Sequence, residues 1–197
     1  MGKFETLDSI LQSNKGFIKT AEAEASGISK TYFGQYIKER GLERAAHGLY
    51  ISPDAWNDEM YVIQARYPSA VFSHETASYL LNLAEREPTQ FAVTLKAGAN
   101  TAGLTKHGVK VYKVKAEVFE DGVIEAQTPT GQAVRAYNAE RTVCDLIRSR
   151  RKLDAQEVQA AFKAYMGKKD RNIPLLLRYA KSFNVERIIR GYLEVLL

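Results

Sequence analysis

The sequence is poor in several things that usually signal function. It has one cysteine in 197 residues. Cys144 alone closes no internal disulfide and builds no cysteine-rich zinc cluster, which excludes a secreted disulfide scaffold. Long apolar runs are missing too; pieces such as Leu175–Leu177 fall far below the ~18 residues of a membrane-spanning helix. The opening Met-Gly-Lys-Phe-Glu-Thr lacks the apolar core of a signal peptide, so a cytoplasmic protein with no membrane partner is expected. Its match to a myristoylation pattern, Gly2 with Thr6, is short and common enough to arise by chance. Neither internal repeats nor low-complexity tracts occur.

Catalytic signatures are equally scarce. The sequence contains no phosphate-binding glycine loop, no His-Glu-x-x-His and no Gly-x-Ser-x-Gly. His47, His74 and His107 lie far apart, and none has an acid at metal-ligand spacing. The expectation is therefore no catalytic residue, no cofactor and no metal. Ser73-His74-Glu75 reads as a capping serine with acidic support in the first helical turn, its neighbouring side chains pointing different ways. Cys144, beside Val143 and Ile147, reads as a packed thiol. Glu117, Glu120, Asp121 and Glu125 are the one local supply of carboxylates for a metal-dependent nuclease. They flank a turn at Gly122, where solvation is the simpler role.

What is present is an ordinary globular composition with an uneven charge. Apolar residues make up 45% and charged residues 26%, and 28 Lys+Arg against 23 Asp+Glu leave +5. Residues 138–197 hold 13 basic and 7 acidic side chains, so the excess lies in the last third. Its densest run, Arg148-Ser149-Arg150-Arg151-Lys152, suits a helix C-terminus, where the macrodipole favours cations, or a nucleic-acid contact.

Periodicity divides the chain. Phe4, Leu7, Ile10 and Leu11 mark a first helix, stopped by Asn14-Lys15-Gly16. Thr20 is expected to cap a second helix that ends at Gly27, and Ser29 a third from Lys30 to Arg40. Residues 42–45 and 49–51 form a hairpin about Ala46-His47-Gly48. Strands are expected at Ala70–Phe72, Phe91–Leu95, Val109–Lys115, Val123–Ala126 and Ala133–Tyr137, with a helix after Ser73. Val109–Lys115 is expected to have one buried and one wet face. Four amphipathic helices follow, the last striped by Ile188, Ile189, Tyr192, Leu193 and Leu196. The predicted class is α+β, an N-terminal winged helix-turn-helix over residues 1–55 followed by a mixed α/β body with a helical C-terminal part over residues 56–197.

The N-terminal outline carries the functional expectation. Gly27 can take a positive φ, Ile28 plugs the core and Ser29 caps the third helix. On that helix Phe33, Tyr36 and Ile37 suit packing, with Arg40 on the same side. Ser29, Lys30, Thr31, Tyr32, Gln35 and Lys38 then offer donors, acceptors and a ring to a major groove. Arg44 and His47 sit where a wing would touch phosphate or the minor groove. Gly34 costs ~1 kcal/mol inside a helix, which a close backbone approach would offset.

Several segments together resemble AbiEi-type antitoxins. The N-terminal part ending Gly48-Leu49-Tyr50 is similar to that family's winged helix-turn-helix, and Ala70-Val71-Phe72-Ser73-His74-Glu75-Thr76-Ala77-Ser78-Tyr79-Leu80, with Pro88 and Phe91–Leu95, to the start of its antitoxin domain. Ala139-Glu140-Arg141-Thr142-Val143-Cys144-Asp145-Leu146-Ile147-Arg148 resembles its most recognisable helix, and Leu175–Ala180 and Tyr192–Leu196 its ending. The resemblance implies an antitoxin of a bacterial type IV toxin–antitoxin system linked to abortive phage infection. It implies opposition to a nucleotidyltransferase-like toxin without a required stable complex. It also implies repression of the antitoxin's own operon at inverted repeats. Two other readings stand beside it: a nuclease with a winged-helix specificity domain, and a transcription regulator sensing a ligand in a pocket near Tyr79, Phe91 and Tyr112.

Overall fold

The computed structural model describes residues 2–196, which form two compact units. The first runs to Pro68 and takes in Thr128–Gln132; the second holds Ser69–Gln127 and the chain from Ala133 onward.

Unit 1 runs α1 (Lys3–Ser13), β1 (Phe17–Lys19), α2 (Thr20–Ala25), α3 (Lys30–Glu39), β2 (Glu43–Ala46), β3 (Leu49–Ile51) and α4 (Glu59–Arg66). Its sheet is antiparallel in the order β1-β3-β2. Leu7, Ile18, Ala23, Ile28, Phe33, Tyr36 and Leu42 form the core, to which α1, α2 and α3 each contribute apolar side chains. Gly27, at φ +74°, ends α2 as its freedom from a Cβ allows. Ser29 then accepts the Tyr32 N–H at 3.3 Å and starts α3. Thr20 is not a cap: it is the first helical residue, and the Glu22 carboxylate accepts the Lys19 N–H at 2.7 Å. The strand β1 and the helix α4 were not foreseen.

The boundary expected at residue 55 moves to Pro68, for reasons in the side chains. Asp58 caps α4 by accepting the Tyr61 N–H at 2.9 Å. Its second oxygen accepts from the hydroxyls of Thr128 and Thr130. Lys15 Nζ donates to the carbonyls of Thr130 at 2.9 Å and Gly131 at 2.8 Å, and the Gln132 amide donates to the Asn14 carbonyl at 2.8 Å. Residues over a hundred positions away thus complete unit 1.

Unit 2 contains β4 (Val71–Phe72), α5 (His74–Leu80), β5 (Ala92–Lys96), α6 (Ala102–Lys106), β6 (Lys110–Val114), β7 (Val123–Gln127), β8 (Ala133–Tyr137), α7 (Ala139–Ser149), α8 (Ala155–Gly167), α9 (Ile173–Ser182) and α10 (Glu186–Leu196). The mixed sheet has the order β6-β5-β4-β8-β7, with β4–β8 and β5–β6 parallel. The helix α7, capped by Asn138, packs against α5, α8 and α9. Val143, Leu146, Ile147, Phe162, Tyr165, Leu176 and Ile189 are buried in that cluster, and Cys144 lies among them as a packed thiol. Burial pushes its thiol pKa up. The side chain of Leu196, on the stripe read for the last helix, lies outside the described residues. Among them the fold is α+β. The clean alternation expected for β6 is not found. Lys110, Val111 and Tyr112 are all half-buried on this edge strand, although its register with β5 is regular throughout.

Candidate functional site

On α3 the sequence places packing and display on opposite sides. Phe33 and Tyr36 are buried, while Ser29, Lys30, Thr31, Gln35 and Lys38 are exposed. Tyr32 is shared between the two: half-buried, it packs edge-on against Phe4 with centroids 5.2 Å apart, so only part of its ring is displayed. A Cβ built on Gly34 would meet nothing within 4 Å. Among the described residues no neighbour requires that glycine, and none offsets its helical cost.

The hairpin turn brings Arg44 and His47 together, with Arg44 NH2 2.9 Å from His47 Nδ1. An arginine only donates, so Nδ1 accepts and the ring presents its Nε2–H outward. Residues 28–51 carry Lys30, Lys38, Arg40 and Arg44 against Glu39 and Glu43, but the basic surface they present is smaller than that count suggests. Arg40 is held by Asp8, its Nε 3.0 Å from Oδ1, and the Tyr36 hydroxyl donates to the same oxygen at 2.8 Å. Burial, with Asp8 alongside, pushes the Tyr36 phenol pKa up. Lys30 pairs with Glu24 at 3.4 Å across an exposed gap, a contact of little energy. Lys38 and Arg44 remain without an acidic partner among the described residues.

Unit 2 holds a polar cluster that sequence reasoning misread. Ser73 occupies the N-cap position of α5 but its hydroxyl caps nothing. It accepts from Thr94 Oγ1 at 2.8 Å and lies 3.0 Å from His74 Nδ1, while His74 Nε2 lies 3.0 Å from Ser149 Oγ. One consistent set of donors runs Thr94 to Ser73 to His74 to Ser149, with a neutral imidazole. Burial, reinforced by Lys110, Arg141 and Arg148, holds the His74 pKa well below the ordinary histidine value, in keeping with that neutral ring. His74 also stacks on Tyr112 with centroids 3.4 Å apart, and its backbone sits at φ +51°, rare for a residue with a Cβ. The neighbours Ser73 and His74 therefore meet, because the left-handed turn folds one ring back on the other's hydroxyl. A local capping rule cannot anticipate that.

The carboxylates near Gly122 do not gather. Glu120 is engaged by Arg135 at 3.0 Å and Lys96 at 3.5 Å. Among the described residues no three His, Cys, Asp or Glu side chains are grouped as a metal would require. Of the three aromatics expected around a ligand pocket, Tyr79 and Phe91 are half-buried and do not line the cavity that Tyr112 borders.

No family model and no curated protein matches the chain. Among solved structures it is similar to the RV2827C protein from Mycobacterium tuberculosis. That likeness has 12% sequence identity and a TM-score of 0.56, and it covers 92% of this chain and 72% of that one. At such identity the likeness is one of fold, and the shared fold is α+β.

Proposed function

We propose that unit 1 is a winged helix-turn-helix that reads duplex DNA, and that the chain is an AbiEi-type antitoxin repressing its own operon. The observation that carries the DNA half is the outer side of α3. Thr31, Gln35 and Lys38 are exposed there around Gly34, whose missing side chain no neighbour in the fold requires. A glycine in that place lets a phosphate backbone approach the helix closely. Gln35 has the donor and acceptor pair that matches adenine, while Lys38 and Arg44 supply phosphate contacts. The toxin half rests on the order and spacing of the segments that resemble AbiEi-type antitoxins. A nucleotidyltransferase-like toxin is its proposed antagonist, and no stable complex is required.

Titration of operator and scrambled duplexes at several salt concentrations tests the reading. Gln35→Ala is expected to lose about 1–3 kcal/mol of preference for the operator. Lys38→Ala and Arg44→Ala are expected to weaken both duplexes and to reduce the log–log salt slope by about one. Unchanged affinity in all three variants removes α3 as the reading element. Growth rescue of toxin-expressing cells by the full chain tests the antitoxin half separately.

A further inference from the structure

Unit 2 contains a cavity of about 530 Å³, a size in the small-ligand range, bordered by α6, β6 and the end of α7. Its chemistry is one-sided. Lys113, Arg148, Arg151 and Lys152 line it, all four are exposed, and none forms an ion pair among the described residues. Ser149 and Thr101 add hydroxyls, while that of Thr105 already donates to the Thr101 carbonyl at 3.1 Å. The one carboxylate at the wall, Asp145, is already bonded to Arg141 at 3.0 Å. The neighbouring Lys110 is likewise neutralised, by Glu75 at 2.9 Å.

The basic run at residues 148–152 is not merely a solvated helix end. Arg150 does serve that role, donating to the Ile147 carbonyl at 2.9 Å, which also covers part of the negative end of α7. Arg148, Arg151 and Lys152 are left over and converge on the cavity. Beneath them the floor is buried and hydrogen-bonded. His74 is buried, both its ring nitrogens are engaged, and it is held against Tyr112 in a strained left-handed conformation. Strain of this kind persists where the surroundings over-determine it and is concentrated at binding sites. Ser149 links that floor to the basic rim.

We propose that this cleft binds a small phosphate-bearing ligand, with Lys113, Arg148, Arg151 and Lys152 as counter-charges and Ser149 and Thr101 as hydroxyl partners. Arginine and lysine around a concave, hydroxyl-lined pocket match the charge and acceptor density of a phosphate group. The size of the cavity favours a free phosphomonoester, diphosphate or nucleotide over the backbone of a duplex. The proposal goes beyond the DNA-reading assignment, since no α3 residue lines the cleft, and the two fail independently.

Calorimetric titration of the full chain with inorganic pyrophosphate tests it. Saturable binding is expected with a Kd of about 1 mM or tighter. Arg148→Ala, and Arg151→Ala combined with Lys152→Ala, are each expected to weaken it by about tenfold or more; these side chains are exposed, so the fold is retained. Lys169→Ala, an exposed cation outside the cleft, is expected to leave it unchanged. Absence of saturable binding overturns the proposal. So does equal weakening in the Lys169 variant, which would mean general charge attraction. Displacement of pyrophosphate by a stoichiometric DNA duplex also overturns it, because the cleft would then belong to nucleic acid.

Discussion

The helices α3 and α7 have nearly the same length, 10 and 11 residues, and use charge in opposite ways. On α3, Lys30, Lys38 and Glu39 stand in solvent and the buried positions are aromatic. On α7, Glu140, Arg141 and Asp145 are buried. Arg141 is fully enclosed; its Nε meets Asp145 at 3.0 Å, its NH1 donates to the carbonyls of Val118 and Asp121, and the guanidinium stacks on Tyr137 and Phe183. Glu140 accepts from the Tyr165 hydroxyl and the Asn172 N–H. A charged side chain with every partner inside the fold is an architectural piece. One with no partner inside the fold is available to something outside it, and only at the end of α7, from Arg148 onward, does that helix change from the first kind to the second.

The largest expected effect breaks the architectural member. Arg141→Met is expected to cost about 3–5 kcal/mol in denaturant unfolding, whereas Lys38→Ala on α3 changes stability by no more than about 0.5 kcal/mol. Burial pushes the Asp145 carboxyl up to about 6, so without Arg141 it takes up a proton rather than remaining as a lone buried charge. The cost then lies mainly in the unmade bonds to Val118 and Asp121. A loss below about 1 kcal/mol would place Arg141 with the dispensable charges.

A smaller, pH-dependent effect sharpens the contrast at the other buried polar group. Native His74 stays neutral where the unfolded chain takes up a proton, so its contribution to stability is lost as pH falls below about 6.5. The slope is about 1.4 kcal/mol per pH unit for one proton. Asp145 acts in the opposite sense: its native pKa, about 6, is raised from 3.8, so between those values the native state holds the extra proton and stability falls as pH rises. Comparing the chain with His74→Asn isolates the histidine, because asparagine tolerates the left-handed backbone. The stability difference between the two is expected to shrink at that slope from pH 6.5 downward. A constant difference rules out the buried neutral imidazole.

The smallest effect belongs to α3. Gly34→Ala is expected to raise stability by about 0.5–1 kcal/mol, since the new methyl meets no atom of the chain, and at the same time to weaken operator binding. Stabilisation without loss of DNA affinity would mean that nothing approaches α3 closely at that position.

Much of this architecture was legible where the physics is local. The turn Gly27-Ile28-Ser29, the hairpin about His47-Gly48, the strand Ala133–Tyr137 and the four C-terminal amphipathic helices follow from backbone freedom, capping and apolar period, which a few neighbouring residues determine. The side of α3 that displays Thr31, Gln35 and Lys38 was legible for the same reason. Arg40 shows where such reading stops, because a count of charges cannot reveal that Asp8, 32 positions earlier, neutralises it.

By itself the sequence determined which segments are helices or strands over most of the chain, and which face of each helix is apolar, because both depend on residues within a turn of one another. Only the tertiary structure decided that Thr128–Gln132 completes unit 1 and that Ser73 serves His74 instead of a helix cap. It alone decided that Lys113 joins Arg148, Arg151 and Lys152 around one cavity. Each of these depends on partners brought together across tens of residues, and such encounters are chosen by the packing of whole elements, which no local pattern encodes.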